Sequence, residues 1–233
     1  MADDETKRQD AIKNFFQEEA SRWDGMTRRY EPRYDEMLDE VLSRAILPDN
    51  DCNVLELGCG TGNLTERFLR KYPRANFICL DTSSQMLQLA AAKLESFPNR
   101  VEFLESNFSE MPEGPFHAVI SSLALHHIPS DNDKKIQYAQ IYKSLYIGGC
   151  FWNADITLCG SDQDSLVDEA NWVEWLKMND FSQDQITTII ERSHINDRPA
   201  KLVDQLLWLR EIGFKNTDCT WRYMGYSVYG GWK

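Results

Sequence analysis

The sequence has no run of about 18 apolar residues, so a membrane-spanning helix is not expected. Its N-terminal stretch, MADDETKRQDAIKNFF, is charged and lacks an apolar signal core, which points to the cytoplasm. The six cysteines, at 52, 59, 79, 150, 159 and 219, make no Cys-x-x-Cys pair, and no histidine stands at zinc-ligand spacing from one. That pattern leads to an expectation of buried, reduced thiols and of no metal site. Basic residues are few: 25 Lys and Arg stand against 37 Asp and Glu, a formal net charge of −12. So acidic a chain repels phosphate backbones, and nucleic acid is not an expected partner. The nearest approach to a basic patch is Lys7-Arg8 and the Arg28, Arg29, Arg33 group, both set among carboxylates; Lys7 and Arg8 read as solvated surface. Internal repeats and low-complexity segments are absent.

What is present is 233 residues, 42% of them hydrophobic, which favours one domain with elaborations. A chain of this size buries roughly 70–75% of its unfolded surface. Residues 8–45 read as helical, broken near Pro32. Short apolar runs then alternate with helical stretches: strands at 53–57, 76–80, 101–105, 117–121 and 149–156, helices at 63–72, 84–96 and 132–147. Ser83 or Ser84 caps the second of these helices. Residues 161–195 read as acidic helix with Trp172 and Trp175, followed by a helix over 199–212 that Gly213 stops. Two strands, 214–221 and 224–230, form an antiparallel hairpin. The fold class is therefore α/β: a doubly wound, mostly parallel seven-stranded sheet ending in an antiparallel C-terminal hairpin, with N-terminal and inserted helices as a lid. Residues 1–48 form a helical cap, and 49–233 the main domain with a helical insertion at about 160–198.

The chemistry-bearing segment is VLELGCGTGNLT, residues 54–65: a buried strand, a glycine-rich turn, then a helix. Glycines without Cβ let backbone approach a ligand, and free amides at the helix start point toward it. Asp81, 23 residues after Gly58, ends the next strand, where a carboxylate can accept from both ribose hydroxyls. A nicotinamide cofactor fits less well. Its G-x-G-x-x-G fingerprint is not met, because Asn63 follows Gly62, and Glu56 in the strand would repel a pyrophosphate. Glu56 suits the ammonium of a methionine moiety instead, or it stabilises the turn.

These residues resemble the first motif of the class I S-adenosylmethionine (SAM)-dependent methyltransferases. Leu80–Leu87 is similar to the ribose-acid motif, Val101–Asn107 to the adenine segment, and Ala118–Pro129 (AVISSLALHHIP) to the fourth strand and its active-site loop. Within the superfamily the chain is most similar to the carboxy-SAM synthase branch and its methyltransferase relatives, through Met26-x-x-Arg29-x-x-Pro32-x-Tyr34, Glu191-Arg192-Ser193 and the closing Gly213-Phe214 hairpin. The likeness implies a fold, a cofactor and roles. The cofactor is SAM, leaving as S-adenosylhomocysteine, and the partner is a small-molecule acceptor. Tyr34 meets the methionine end; Gly58, Cys59, Gly60 and Gly62 line the cofactor, with Met86 in the same binding set; Asp81 and Thr82 hold the ribose; Asn107 and Phe108 flank the adenine; Ser121 lies below. Arg192 matches an arginine that binds the extra carboxylate of carboxy-SAM, although GCGTG is the ordinary methyltransferase form of the loop. A homodimer is an assembly implied by the same likeness.

Other candidates have two readings each. Arg29 and Arg192 contact a carboxylate of cofactor or acceptor, or form surface ion pairs. His126 and His127 follow the fourth strand, where the acceptor should enter; one supplies a general base, or both pack locally. Trp152 and Tyr223 belong to an acceptor cage or to the sheet core. The activity expected is methyl transfer to a small or medium-sized acceptor. Alternatives are a carboxy-SAM synthase-like or tRNA wobble-uridine modification enzyme, and a non-catalytic SAM-binding module.

Overall fold

The computed structural model describes residues 2–233, with side chains from Asp4 onward. Helices α1 (Ala2–Glu19), α2 (Trp23–Tyr30) and α3 (Tyr34–Arg44) precede the sheet. Then come β1 (Cys52–Leu57), α4 (Asn63–Lys71), β2 (Ala75–Asp81), α5 (Ser84–Lys93), β3 (Val101–Glu105), β4 (Phe116–Ser122), α6 (Asp131–Ser144) and β5 (Leu145–Ile156). Helices α7 (Asp162–Met178), α8 (Gln183–Asn196) and α9 (Leu202–Ile212) lead to β6 (Lys215–Tyr223) and β7 (Tyr226–Trp232). The seven strands run in the order β3-β2-β1-β4-β5-β7-β6. The first five are parallel, and β7 pairs antiparallel with both β5 and β6.

Covering both faces explains why the central strands are mostly buried and apolar, β1 being exposed only at Asn53. Alternate residues of β1 serve opposite cores: Val54 packs with Met37, Leu38, Phe68 and Phe77 under α3 and α4, while Leu55 and Leu57 pack with Tyr138, Ile141 and Leu209 under α6 and α9. Chain order reverses between β1, which continues to β2, and its other neighbour β4. A crevice opens at the carboxyl ends of those two strands.

The boundaries differ from the sequence reading in instructive places. Helix α6 stops at Ser144, and β5 starts at Leu145, four residues before the expected 149, because its pairing with β4 is shifted between Phe116 and Ala118. The stretch 161–195 is two helices. The chain turns at Asp180, which takes φ 63°, and Ser182 with Gln185 makes a capping box that opens α8. Ser83 caps α5 through the amide of Met86. All six cysteines are free; Cys219 alone among them is not fully buried.

The C-terminal hairpin depends on Gly230. It pairs with Trp152, and a Cβ there would lie 2.0 Å from the Phe151 carbonyl and 2.8 Å from the Trp152 indole. Gly230→Ala should therefore destabilise the chain by at least about 2 kcal/mol, in the upper part of the overpacking range. Urea unfolding checks this; an unchanged midpoint would show that the β5–β7 pair has room to spare.

Candidate functional site

The glycine turn is built from left-handed backbone: Gly58, Gly60 and Gly62 have φ of 69°, 52° and 80°. The amides of Gly58 and Cys59 donate to Leu80 O at 2.8 and 3.0 Å, tying the turn to the end of β2. Asp81 completes that tie: its carboxylate accepts from Gly60 N at 2.8 Å and Ser83 N at 2.9 Å. Burial pushes the Asp81 carboxyl upward, and the backbone amides oppose that shift.

A cavity of about 110 Å³ lies over this turn. Of the residues named from sequence, Tyr34, Gly58, Cys59, Gly60, Asp81, Thr82, Met86, Asn107 and Phe108 line it. Tyr34 is held by Asn63, whose amide donates to its hydroxyl at 3.3 Å. Asn107 caps the short turn Phe108–Glu110 by accepting from Ser109 N at 3.0 Å. Gly62 is instead the N-cap of α4, facing Ala90 of α5 and Leu94 just past its end. Ser121 is buried and donates to Leu57 O at 2.7 Å; the neighbouring Ser122, on the other side of the strand, reaches the cavity. Arg29 lies at neither cavity. It donates to Asn179 O at 2.6 Å and lies over Phe181, pinning α2 to the α7–α8 link.

Glu56 is fully buried beneath the turn. Thr65 donates to one of its oxygens, and the other has no partner. Burial pushes its carboxyl to about 8, from an ordinary value of 4.5. The folded chain therefore holds a proton that the unfolded chain releases near 4.5, so this group lowers stability as pH climbs from about 5 to 8. Glu56→Gln should flatten that fall; parallel melting curves across the range would contradict it.

A second cavity, of about 440 Å³, adjoins the first; Ile12, Phe16, Trp23, Leu123 and His127 border both. Its aromatic wall comes from α1, α2 and α7. Trp172 and Trp175 of α7 dock on α2 by donating to Tyr30 O and Arg29 O at 3.1 and 3.0 Å. Arg192 of α8 faces this cavity, stacked over Phe15 and donating to the Tyr30 hydroxyl at 3.2 Å. Trp152 and Tyr223 do not reach it: Trp152 is buried with Tyr34 and Val228 in the core, and Tyr223 lies under Arg33 on the hairpin.

His126 and His127 stand on a short turn, Leu125–His127, between β4 and α6. His126 Nδ1 is 2.5 Å from Asp155 Oδ1, and Asp155 is itself fixed by Asn153, whose amide also donates to the Tyr229 hydroxyl. Burial alone would make the His126 imidazole less basic, but the Asp155, Asp197 and Glu31 carboxylates outweigh it and raise its pKa. Burial and the neighbouring His126 lower that of His127.

Several residues here escaped the sequence reading. Asp24 accepts from Thr61 at 2.5 Å and from Lys93 at 2.6 Å, closing a polar cluster over the glycine turn. Glu31 and Asp197 face the larger cavity; burial pushes the Glu31 carboxyl to about 7. Arg8, read as solvated surface, is buried. It donates to His127 O at 2.8 Å and to Asn196 O, pinning α1 across the turn between β4 and α6. Its partners lie 119 and 188 residues away, beyond any local pattern.

Residues 54–149 match a family described as methyltransferase domain. The carboxy-S-adenosyl-L-methionine synthase of Nautilia profundicola is 24% identical over 94% of each chain. Among solved structures, the methyltransferase in a complex with the Trm112 methyltransferase activator of Haloferax volcanii superposes with a TM-score of 0.65 at 17% identity, over 93% of this chain and 96% of that one. The phosphoethanolamine N-methyltransferase 2 of Haemonchus contortus, in complex with SAM, gives 0.58 at 16% identity, over 78% and 37%.

Proposed function

We propose, from the premise that this chain carries a SAM-dependent methyltransferase domain, that it methylates a small or medium-sized acceptor seated in the 440 Å³ cavity. The observation that carries this reading is the shared border of the two cavities. A sulfonium held over the glycine turn has its methyl group facing the partition of Phe16, Leu123 and His127. Asp81 and Thr82 hold the ribose, Asn107 and Phe108 flank the adenine, and Tyr34 serves the methionine end; Glu56, expected there from sequence, lies beneath the turn and does not reach the cavity. The smaller cavity is below the few hundred Å³ that a ligand of this size fills. Gln9, Ile12 and Phe16 of α1 lie across it, so α1 is the lid that moves to admit SAM. We place the protein in the cytoplasm; among the described residues no helix is long and apolar enough to cross a membrane. A homodimer rests on likeness to the synthase branch alone.

Methyl transfer is an in-line displacement whose leaving group is a neutral thioether. Alignment and exclusion of water supply most of the acceleration, about 7–11 kcal/mol for good positioning. The protein's part is to hold acceptor, methyl and sulfur in a row. His126, oriented by Asp155, and His127 face the acceptor atom and its proton.

Calorimetric titration should find one SAM per chain. With methyl-labelled SAM and a metabolite extract, S-adenosylhomocysteine should form only when extract is present. No binding at millimolar SAM would sink the reading, and binding without turnover would leave a non-catalytic SAM module. A second reading, carboxy-SAM as the bound species, is favoured by Arg192, a cation facing the larger cavity. Mass spectrometry of ligand released from the purified chain separates the two, because carboxy-SAM is heavier by a carboxylate.

A further inference from the structure

We propose that His126, His127 and Asp197 form a binding site for a divalent zinc-like cation, open on one side to the acceptor cavity. Asp197 Oδ1 lies 3.7 Å from His126 Nε2 and 3.3 Å from His127 Nδ1, and the three donor atoms all fall within 4.8 Å of one another. Zinc bonds nitrogen and oxygen at about 2.0–2.2 Å, so neighbouring ligands of a tetrahedral ion stand roughly 3.4 Å apart. The two measured spacings straddle that value.

The donors are also prepared electronically. With Asp155 accepting from His126 Nδ1–H, the proton a cation would displace is the one on Nε2, the nitrogen that faces Asp197. A carboxylate behind a ligand histidine is the usual way a protein fixes ring orientation and raises basicity. His127 Nε2 is buried with no hydrogen-bond partner, while its Nδ1 faces the Asp197 carboxylate at 3.3 Å; a buried unpaired ring nitrogen costs free energy unless something binds there. The surrounding charge is negative: the Asp155, Asp197 and Glu31 carboxylates all act on His126, and Arg192 is the cation facing the same cavity.

The backbone holds the set together. Arg198 N donates to His126 O at 2.8 Å, locking the residue after Asp197 onto the histidine turn. Arg8 fixes that turn from the other side through His127 O. Three protein ligands with a fourth position facing a cavity is the catalytic pattern, whereas structural zinc is fully enclosed by protein. The sequence reading, which rests on cysteine and histidine spacing, expects no metal; Asp197 follows the histidine pair by 70 residues and belongs to another element.

The site itself does not depend on the methyltransferase reading; its use does. A hydroxyl or thiol of the acceptor binds at the open position, where the cation lowers its pKa and its proton passes to water. The freed lone pair forms the bond to the SAM methyl carbon as the carbon–sulfur bond breaks. That electron pair returns to sulfur, giving S-adenosylhomocysteine and the methylated acceptor. In this arrangement the imidazoles act as ligands, and no side-chain base is needed.

The test uses the full chain, stripped with a chelator and titrated with Co²⁺, followed by visible absorption and calorimetry. We expect one Co²⁺ per chain with the d–d bands of a four- or five-coordinate ion. Asp197→Asn and His126→Gln should each weaken binding at least tenfold, and Asp155→Asn about 10- to 100-fold. Melting curves and SAM titrations report whether the variants remain folded. Absence of the bands in the wild-type chain, or equal Co²⁺ affinity in folded Asp197→Asn and His126→Gln, overturns the site. A chain that binds Co²⁺ but not SAM overturns the methyl-transfer reading and leaves the site standing; one that binds SAM but not Co²⁺ does the reverse.

Discussion

Gly58→Ala should reduce SAM affinity by at least about 100-fold, equivalent to roughly 2.7 kcal/mol. The residue takes φ 69°, where an L side chain costs about 1–2 kcal/mol. The new methyl group would also stand 2.3 Å from the Ala124 Cβ, far inside the 3.5–4.0 Å of ordinary carbon contact. Ala124 precedes the turn that carries His126 and His127, so relieving the clash displaces both sides of the partition between the cavities. Gly60 provides the control. Its φ is 52°, but a Cβ there meets nothing within 4 Å, so Gly60→Ala carries only the conformational cost in the free protein. Thermal melting should therefore rank Gly58→Ala well below Gly60→Ala in stability. Equal melting temperatures would show that close approach to Ala124 is not what requires glycine at 58.

The second large effect is expected at Asp81. Replacement by Asn keeps the shape but leaves one oxygen where two amides now donate, those of Gly60 and Ser83. One of those bonds becomes a donor facing a donor, and the ribose loses its charged acceptor. Hydrogen bonds to charged groups contribute about 1.5–3 kcal/mol each, so SAM affinity should fall by one to two decades or more. S-adenosylhomocysteine shares the ribose, so calorimetry should give the same factor for it. A loss confined to SAM would place Asp81 near the sulfonium and overturn the ribose role.

Much of this was legible in the linear sequence, and the reason is local. Residues 53–57 and 76–80 could be read as strands because both of their faces are largely buried beyond the exposed Asn53 and Asn76, which leaves short, mostly apolar runs. The turn between Leu57 and Asn63 could be read because left-handed backbone selects glycine, and Asp81 because it ends the following strand. The hairpin after Gly213 was visible because only a few residues separate its two strand-like runs. Sequence reading failed where a residue's role depends on distant partners. Ser121 and Ser122 differ by one position, and only the direction of the side chain separates a tie to Leu57 from a cavity wall. Trp152 is aromatic on a strand that leads to the larger cavity, yet the pleat turns it into the core beside Gly230.

The sequence by itself thus determined the sheet, the glycine turn and the acid beside it, all of them features that backbone periodicity and steric permission write within a few residues. The tertiary structure alone decided the walls of the larger cavity. It set Arg8 beneath the histidine turn, stacked Arg192 on Phe15, and brought Asp197 to His126 and His127. Those contacts join loops and helix ends far apart in the chain, where no period constrains which residue arrives.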